Sequence, residues 1–415
     1  MTTDKAQRIC IIGAGAAGLT AAETLKRLGY RHVTILEREA RAGGKCYSLD
    51  HDGRSYELGA GIIAANNHTV QQLAKHYGVP FERVQFGESI LLDVATGKPL
   101  AEKTLLQQLA TLRQLVFKYV PLITKYRNVA QPGLAKLSPE LCVPFSDWAK
   151  QHHIELVAAE LAPFFTGFGY DYFERVPAAY VLKYYSWATL KSFAQRKLYK
   201  FPHGIQTLWT TVAQAHNVRY NTVIQKITRG ATVTITTTTD TIECDRLIIT
   251  SPLDEALQFI DANPLEQELF SKIQYSDYRT YALWLHDFPK MSGYLPGNYT
   301  SSRTGQPVFW YLRHADINLY TFYTLADWQL TDEAALHSIT QVVQQLGGSM
   351  ERVHTIQHWK YFPHISSEIM CQGYFDQLES LQGQRQTYYA GEVMNFSTVG
   401  LSAEYAEHLV HRFFA

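Results

Sequence analysis

Residues 8–18 read Arg-Ile-Cys-Ile-Ile-Gly-Ala-Gly-Ala-Ala-Gly, and this stretch limits the fold more tightly than any other in the chain. A short apolar run that stops at glycine predicts a buried parallel strand. The Ala- and Leu-rich segment after it predicts a helix over about residues 16–28, closed by Gly29. Residues 33–36 read as a second strand, so residues 8–37 form one βαβ unit. In that setting Gly13-x-Gly15-x-x-Gly18 is a dinucleotide fingerprint rather than a chance glycine turn. Gly13 permits the tight turn, Gly15 lets the backbone approach a pyrophosphate, and Gly18 allows close helix–strand packing. The amides of Ala16 and Ala17 at the helix start face the phosphate charge. Glu37 ends the second strand, placed to accept hydrogen bonds from an adenosine ribose.

At 415 residues the chain is long for one domain, and its 46% apolar content suffices for sizeable cores. Residues 62–200 read as mainly helical, residues 222–241 as a β-hairpin or meander, and residues 246–250 as a buried strand. Ser251-Pro252 reads as a helix N-cap and first helical residue. Residues 271–365 favour strands, and a helix is expected over 402–414. The expectation is an α/β protein. Its dinucleotide domain is assembled from residues 1–61, 201–270 and 366–415. A helical substrate region (62–200) and a β-rich one (271–365) are inserted between them.

Lys+Arg and Asp+Glu balance at 38 each, so no net field points to nucleic acid. Five scattered cysteines without a C-x-x-C fit reduced thiols in a cytoplasmic protein better than disulfides or a zinc site. His354 and His358 stand four apart, but their segment resembles strand as much as helix and offers no acidic partner, so no metal is expected. The 26 Tyr, 20 Phe and 7 Trp imply either bulky cores or an aromatic-walled pocket for an apolar ligand. No run of about 18 apolar residues predicts a transmembrane segment. In residues 101–126, Leu105, Leu109, Leu112, Val116, Tyr119 and Ile123 recur at helical spacing, flanked by Lys103, Arg113, Lys118 and Lys125. That pattern predicts an amphipathic helix packed on its own domain, with peripheral membrane contact as the alternative. None of these features fixes the oligomeric state.

Further segments carry a family resemblance. Residues 37–45, Glu-Arg-Glu-Ala-Arg-Ala-Gly-Gly-Lys, resemble the extension of the flavin amine oxidase superfamily in which paired glycines and a basic residue approach the cofactor diphosphate. This implies contacts from Arg38, Gly44 and Lys45. Residues 56–61 resemble that superfamily's segment beside the flavin ring, where Gly59, Ala60 and Gly61, followed by Ile62, leave room for a flat isoalloxazine. Pro202-His203-Gly204 resembles its later helix start. Asn221-Thr222-Val223 is similar to the strand whose backbone meets the adenine, which implicates Val223. Gly391-Glu392 resembles its A-G-E motif, implicating both residues and the nearby Val399 in binding. The resemblance implies a Rossmann-type, flavin amine oxidase-like FAD domain with FAD bound non-covalently, since Cys46 and Cys371 lie outside the usual covalent context.

Within that superfamily, residues 164–170, 176–184, 192–194, 361–368 and 411–414 resemble the polyenoic fatty acid isomerases, FAD enzymes that move a double bond to make conjugated products. The implied reaction is hydride abstraction to flavin N5 and return at another carbon of a lipid-like substrate. The resemblance gives Phe193 the catalytic gate at the substrate entrance, with Phe168 and Tyr170 as pocket liners. The arginine these enzymes use to hold a carboxylate has no basic counterpart in residues 84–91, Val-Gln-Phe-Gly-Glu-Ser-Ile-Leu. Arg83 just upstream is the candidate substitute through a register shift, with a solvated surface arginine and a substrate of a different head group as the alternatives. The alternative reading is an FAD-dependent oxidase or desaturase on an unidentified apolar substrate, because fold does not fix function. A flavin-stabilised lipid carrier is a third.

Overall fold

The computed structural model describes residues 4–85 and 87–415. The apolar run at the N-terminus forms the strand Arg8–Ile12, with Ile9, Cys10, Ile11 and Ile12 all buried. A strand with both faces covered needs neighbours on both edges, and here they come from distant parts of the chain. The five-stranded parallel sheet runs Asn217–Arg219, His32–Leu36, Arg8–Ile12, Arg246–Ile249, Thr387–Tyr389. Three separated segments therefore converge on one Rossmann-type layer. The helix Ala16–Arg27 leaves the glycine turn and packs against the C-terminal helix Val399–Phe414, burying Leu19, Leu25, Ala403 and Leu409 in the same core.

The second lobe is built on a seven-stranded sheet in the order Ser349–His364, Gln274–His286, Leu319–Ala326, Pro307–Tyr311, Ser292–Tyr294, Ser89–Asp93, Lys98–Pro99. Its last two strands belong to the stretch read as helical, and Ser89–Asp93 runs parallel beside Ser292–Tyr294. Leu92 explains the placement: it is fully buried with Leu295, Trp310 and Phe322 in that sheet's core. Regions 62–200 and 271–365 thus share a sheet.

Smaller differences from the sequence reading have local causes. The Thr-rich segment makes a three-stranded meander, Ile224–Arg229, Val233–Thr237 and Thr241–Cys244. The helix after Arg246–Ile249 begins at Leu253, so Pro252 is the cap residue and the Ser251 hydroxyl caps nothing. His354 and His358 lie on the Ser349–His364 strand, and His358 is engaged by Asp332 at 2.9 Å. Residues 105–125 form a helical rod, α-helical over Leu105–Gln114 and Val120–Lys125 with a π turn over Leu115–Tyr119. Only part of its predicted apolar stripe is covered: Tyr119 and Ile123 are buried, whereas Leu105, Leu109, Leu112 and Val116 are exposed. Among the described residues no helix is long and apolar enough to cross a membrane.

Candidate active site

The first half of the site is a glycine cradle. Gly13 turns with φ +100°, and a Cβ there would press on the Thr250 hydroxyl. A Cβ on Gly18 would lie 2.0 Å from the Gly13 carbonyl oxygen, so this crossing of helix and turn admits only glycine. Around Gly15 the nearest atom to a built Cβ is the Gly44 Cα at 3.9 Å, leaving open space above the turn. Helix Ala16–Arg27 starts at Gly15 with no side-chain cap and no acid in its first turn. Its leading amides are thus left to something outside the helix. Glu37 closes the cradle, its carboxylate accepting from the amides of Ala14 at 2.7 Å and Glu39 at 2.8 Å. Opposite, the Lys45 ammonium donates to Glu392 at 2.6 Å, and Gly391 reaches that position with φ +109°.

The second half is a cavity of about 270 Å³ where residues 57–62 meet the helices Glu155–Phe165 and Trp187–Ala194 and the large sheet. Residues 58–61 line it. The Leu58 carbonyl accepts from the Trp359 indole at 2.6 Å and the Thr280 hydroxyl at 3.0 Å. Twelve aromatic residues line the cavity among the described ones, including Phe164, Phe168, Tyr170, Phe193, Trp359 and Tyr361. They are packed on one another: Tyr170 stacks on Tyr361 at 5.6 Å between centroids, and Phe164 lies 5.3 Å from Phe193. Burial holds the hydroxyls of Tyr170, Tyr184, Tyr278 and Tyr361 well above the usual phenol range, so these walls stay neutral.

Charge enters the lining at only four described positions, Lys45, Glu57, Lys200 and Arg313. Burial pushes the Glu57 carboxyl up, against the opposing pull of Arg313 and the hydrogen bonds from Ser48 and Ile205. Arg313 is spoken for, donating to the Ser55 hydroxyl and the Phe201 carbonyl and lying 3.7 Å from Glu57. Lys200 is different. It pairs in register with Ile62 at the cavity rim, and its only ion-pair neighbour among the described residues is the exposed Glu82, at 3.4 Å.

The model of the family described as flavin containing amine oxidoreductase matches residues 16–398. The chain belongs to that family. The crystal structure of a CLA-producing fatty acid isomerase from P. acnes superposes on this chain with a TM-score of 0.94. The two are 34% identical, covering 100% of each chain. An FAD-dependent oxidoreductase from Apiospora sacchari is 25% identical over 426 residues, 92% of this chain and 87% of its own. A polyenoic fatty acid isomerase from Ptilota filicina is 35% identical over 81 residues, 20% of this chain and 16% of its own.

The family's cofactor is FAD, and the residues present fit it. Two buried polar atoms beside the cradle, Arg41 Nη1 and Ser251 Oγ, have no hydrogen-bond partner, and Ser251 borders Gly13. Orphaned donors at an uncapped helix start suit a diphosphate. Gly13, Gly15, Ala16, Ala17, Gly18, Glu37 and Gly44 come together there. Arg38 lies exposed outside, 3.4 Å from Glu255. Val223 is exposed beyond the strand end. Lys45, Gly59, Ala60, Gly61, Ile62 and Val399 line the cavity, as do Phe168, Tyr170 and Phe193. Glu392 reaches it through Lys45.

Arg83 is not among the lining residues. It is exposed on the two-residue strand Glu82–Arg83, alongside Lys200's strand rather than inside the cavity. Phe86, in the stretch searched for a carboxylate-holding residue, lies outside the described residues. Sequence reasoning missed Arg41, Lys200 and Arg313. Arg41 sits inside the quoted 37–45 segment and was within reach. The other two come from strands and loops more than 100 residues from the glycine turn, with no local pattern to mark them.

Proposed function

We propose that this protein is an FAD-dependent double-bond isomerase of polyunsaturated fatty acids or related apolar polyenes. What carries the reading is the cavity, walled by twelve aromatic residues and charged at only four of its described lining positions, in a chain that is alike over its full length to a fatty acid isomerase. Bound FAD supplies reversible hydride acceptance. The residues supply the surroundings. Gly59, Ala60 and Gly61 run along the cavity beside the Leu58 carbonyl that Trp359 and Thr280 hold. Lys45 and Glu392 hold the cofactor's polar part, non-covalently. Rings of Phe164, Phe168, Tyr170 and Trp359 exclude water and place electron-rich faces around a substrate that carries delocalised positive charge once hydride has left the carbon between two alkenes. Phe193, against Phe164, closes the substrate end. Lys200 at the rim meets a carboxylate, a task for which Arg83 was one of the sequence candidates. Four of the five cysteines are buried as free thiols, in keeping with a reducing, cytoplasmic setting.

The test uses purified, FAD-loaded protein with linoleic acid and related polyunsaturated acids, following product mass and hydrogen peroxide together. Conjugated products of unchanged mass without peroxide are expected. Stoichiometric peroxide would move the protein to the oxidase reading.

A further inference from the structure

Of the rod 105–125 only Tyr119 and Ile123, both in its C-terminal half, are buried. Tyr119 is 0% exposed, whereas Leu106 is 79% and Phe117 73% exposed, and the helix Leu105–Gln114 buries no residue at all. A surface helix ordinarily turns an apolar stripe to its own core, and clustered exposed apolar side chains mark an interaction surface. This helix needs no neighbour to begin: Thr104 and Gln107 form a reciprocal capping box. The charge is one-sided. Residues 101–126 contain four basic residues and one acid, Glu102. Lys103 and Lys125 are paired with Glu160 and Glu140, but Arg113 and Lys118 have no acidic partner among the described residues.

We propose that this face docks the protein on an anionic lipid bilayer, with Leu105, Leu106, Leu109 and Phe117 entering the acyl boundary while Arg113 and Lys118 meet lipid phosphates. Two cations free of counter-ions beside an apolar cluster complement such a surface. A second copy of the chain is disfavoured, because an isologous contact through this patch would set Arg113 and Lys118 against themselves. The rod also contacts a helix that reaches the cavity. Gln114 Oε1 accepts from the Leu156 amide at 3.1 Å, at the start of the helix Glu155–Phe165, whose Phe164 lines the cavity against Phe193. An apolar substrate would then pass from bilayer to cavity along one helix pair. That last step rests on the isomerase reading; the docking does not.

The experiment sediments FAD-loaded protein with vesicles of phosphatidylcholine alone or with about 30% phosphatidylglycerol. Wild type is expected to pellet with the anionic vesicles. The double variant Leu106→Asp/Phe117→Asp is expected to lose partitioning by about tenfold or more, and Arg113→Gln/Lys118→Gln to lose the preference for anionic lipid. Unchanged flavin absorbance and melting temperature in both variants exclude misfolding as the cause. Wild type left in the supernatant overturns the proposal, as does equal sedimentation of wild type and the Asp variant. A concentration-dependent dimer abolished by the Asp variant, without vesicle binding, would assign the face to self-association and overturn it too. Vesicle binding in a protein that converts no polyene leaves docking standing and removes the isomerase reading.

Discussion

Lys200 and Arg83 lie on neighbouring strands, yet only one lines the cavity. A carboxylate held by Lys200 gains a charge-assisted hydrogen bond, about 1.5–3 kcal/mol or roughly 10–100-fold in affinity. Lys200→Met is therefore expected to raise KM for a free polyunsaturated acid within that range and to leave its methyl ester unaffected, while Arg83→Met changes neither. Steady-state kinetics on both substrates separates the two. Gly18 makes a different kind of demand. A methyl group placed 2.0 Å from the Gly13 oxygen cannot be absorbed by a flexible side chain, because the obstacle is backbone. Gly18→Ala is expected to open the turn, with FAD retained through gel filtration falling from near-stoichiometric to a small fraction. These glycines are legible in the sequence because their reason is local. Lys200 is not, because its neighbours Ile62 and Glu82 reach it only through strand pairing.

Among the elements, the rod 105–125 shows where periodicity stops being informative. Leu105 and Ile123 sit on one stripe, yet one is bare and the other buried, since the pattern records which face is apolar but not what covers it. The strand Ser89–Asp93 shows the same limit: five residues inside a helical region carry too little signal against the partner strand that claims them. The short helix Ala178–Tyr184 carries a prediction of its own. Lys183 is buried there, donating to the carbonyls of Gln131 and Gly133. Burial pulls its ammonium from 10.5 down to about 7, against the raising influence of Glu404. Between pH 7 and 10.5 the unfolded chain holds a proton here that the folded chain has released, so this group's penalty shrinks as pH rises, by at most about 1.4 kcal/mol per pH unit. Wild type should gain melting temperature relative to Lys183→Met across that window, and the difference should be constant below pH 7. Parallel profiles from pH 6 to 10 would show that Lys183 stays charged in the fold.

For the whole molecule, the parallel sheet assembled from three separated segments follows from motifs spread from residue 8 to residue 392. Each of these is readable because phosphate and flavin contacts constrain backbone more than side chain. The cavity walls were foreseeable as chemistry, through 53 aromatic residues (26 Tyr, 20 Phe, 7 Trp), but not as a list, because rings such as Phe164 and Trp359 come to one cavity only through the tertiary fold. The central claim is that this cavity removes a hydride from a polyene and gives it back to the same molecule. The most direct test is a crossover experiment with an equimolar mixture of linoleic acid deuterated at the carbon between its alkenes and unlabelled linoleic acid, in ordinary water, read by mass spectrometry of the conjugated product. Fully labelled and fully unlabelled products, with deuterium moved to a new carbon and no peroxide formed, are the predicted result. Loss of deuterium to solvent, or a product lighter by two hydrogens with peroxide accumulating, would contradict it.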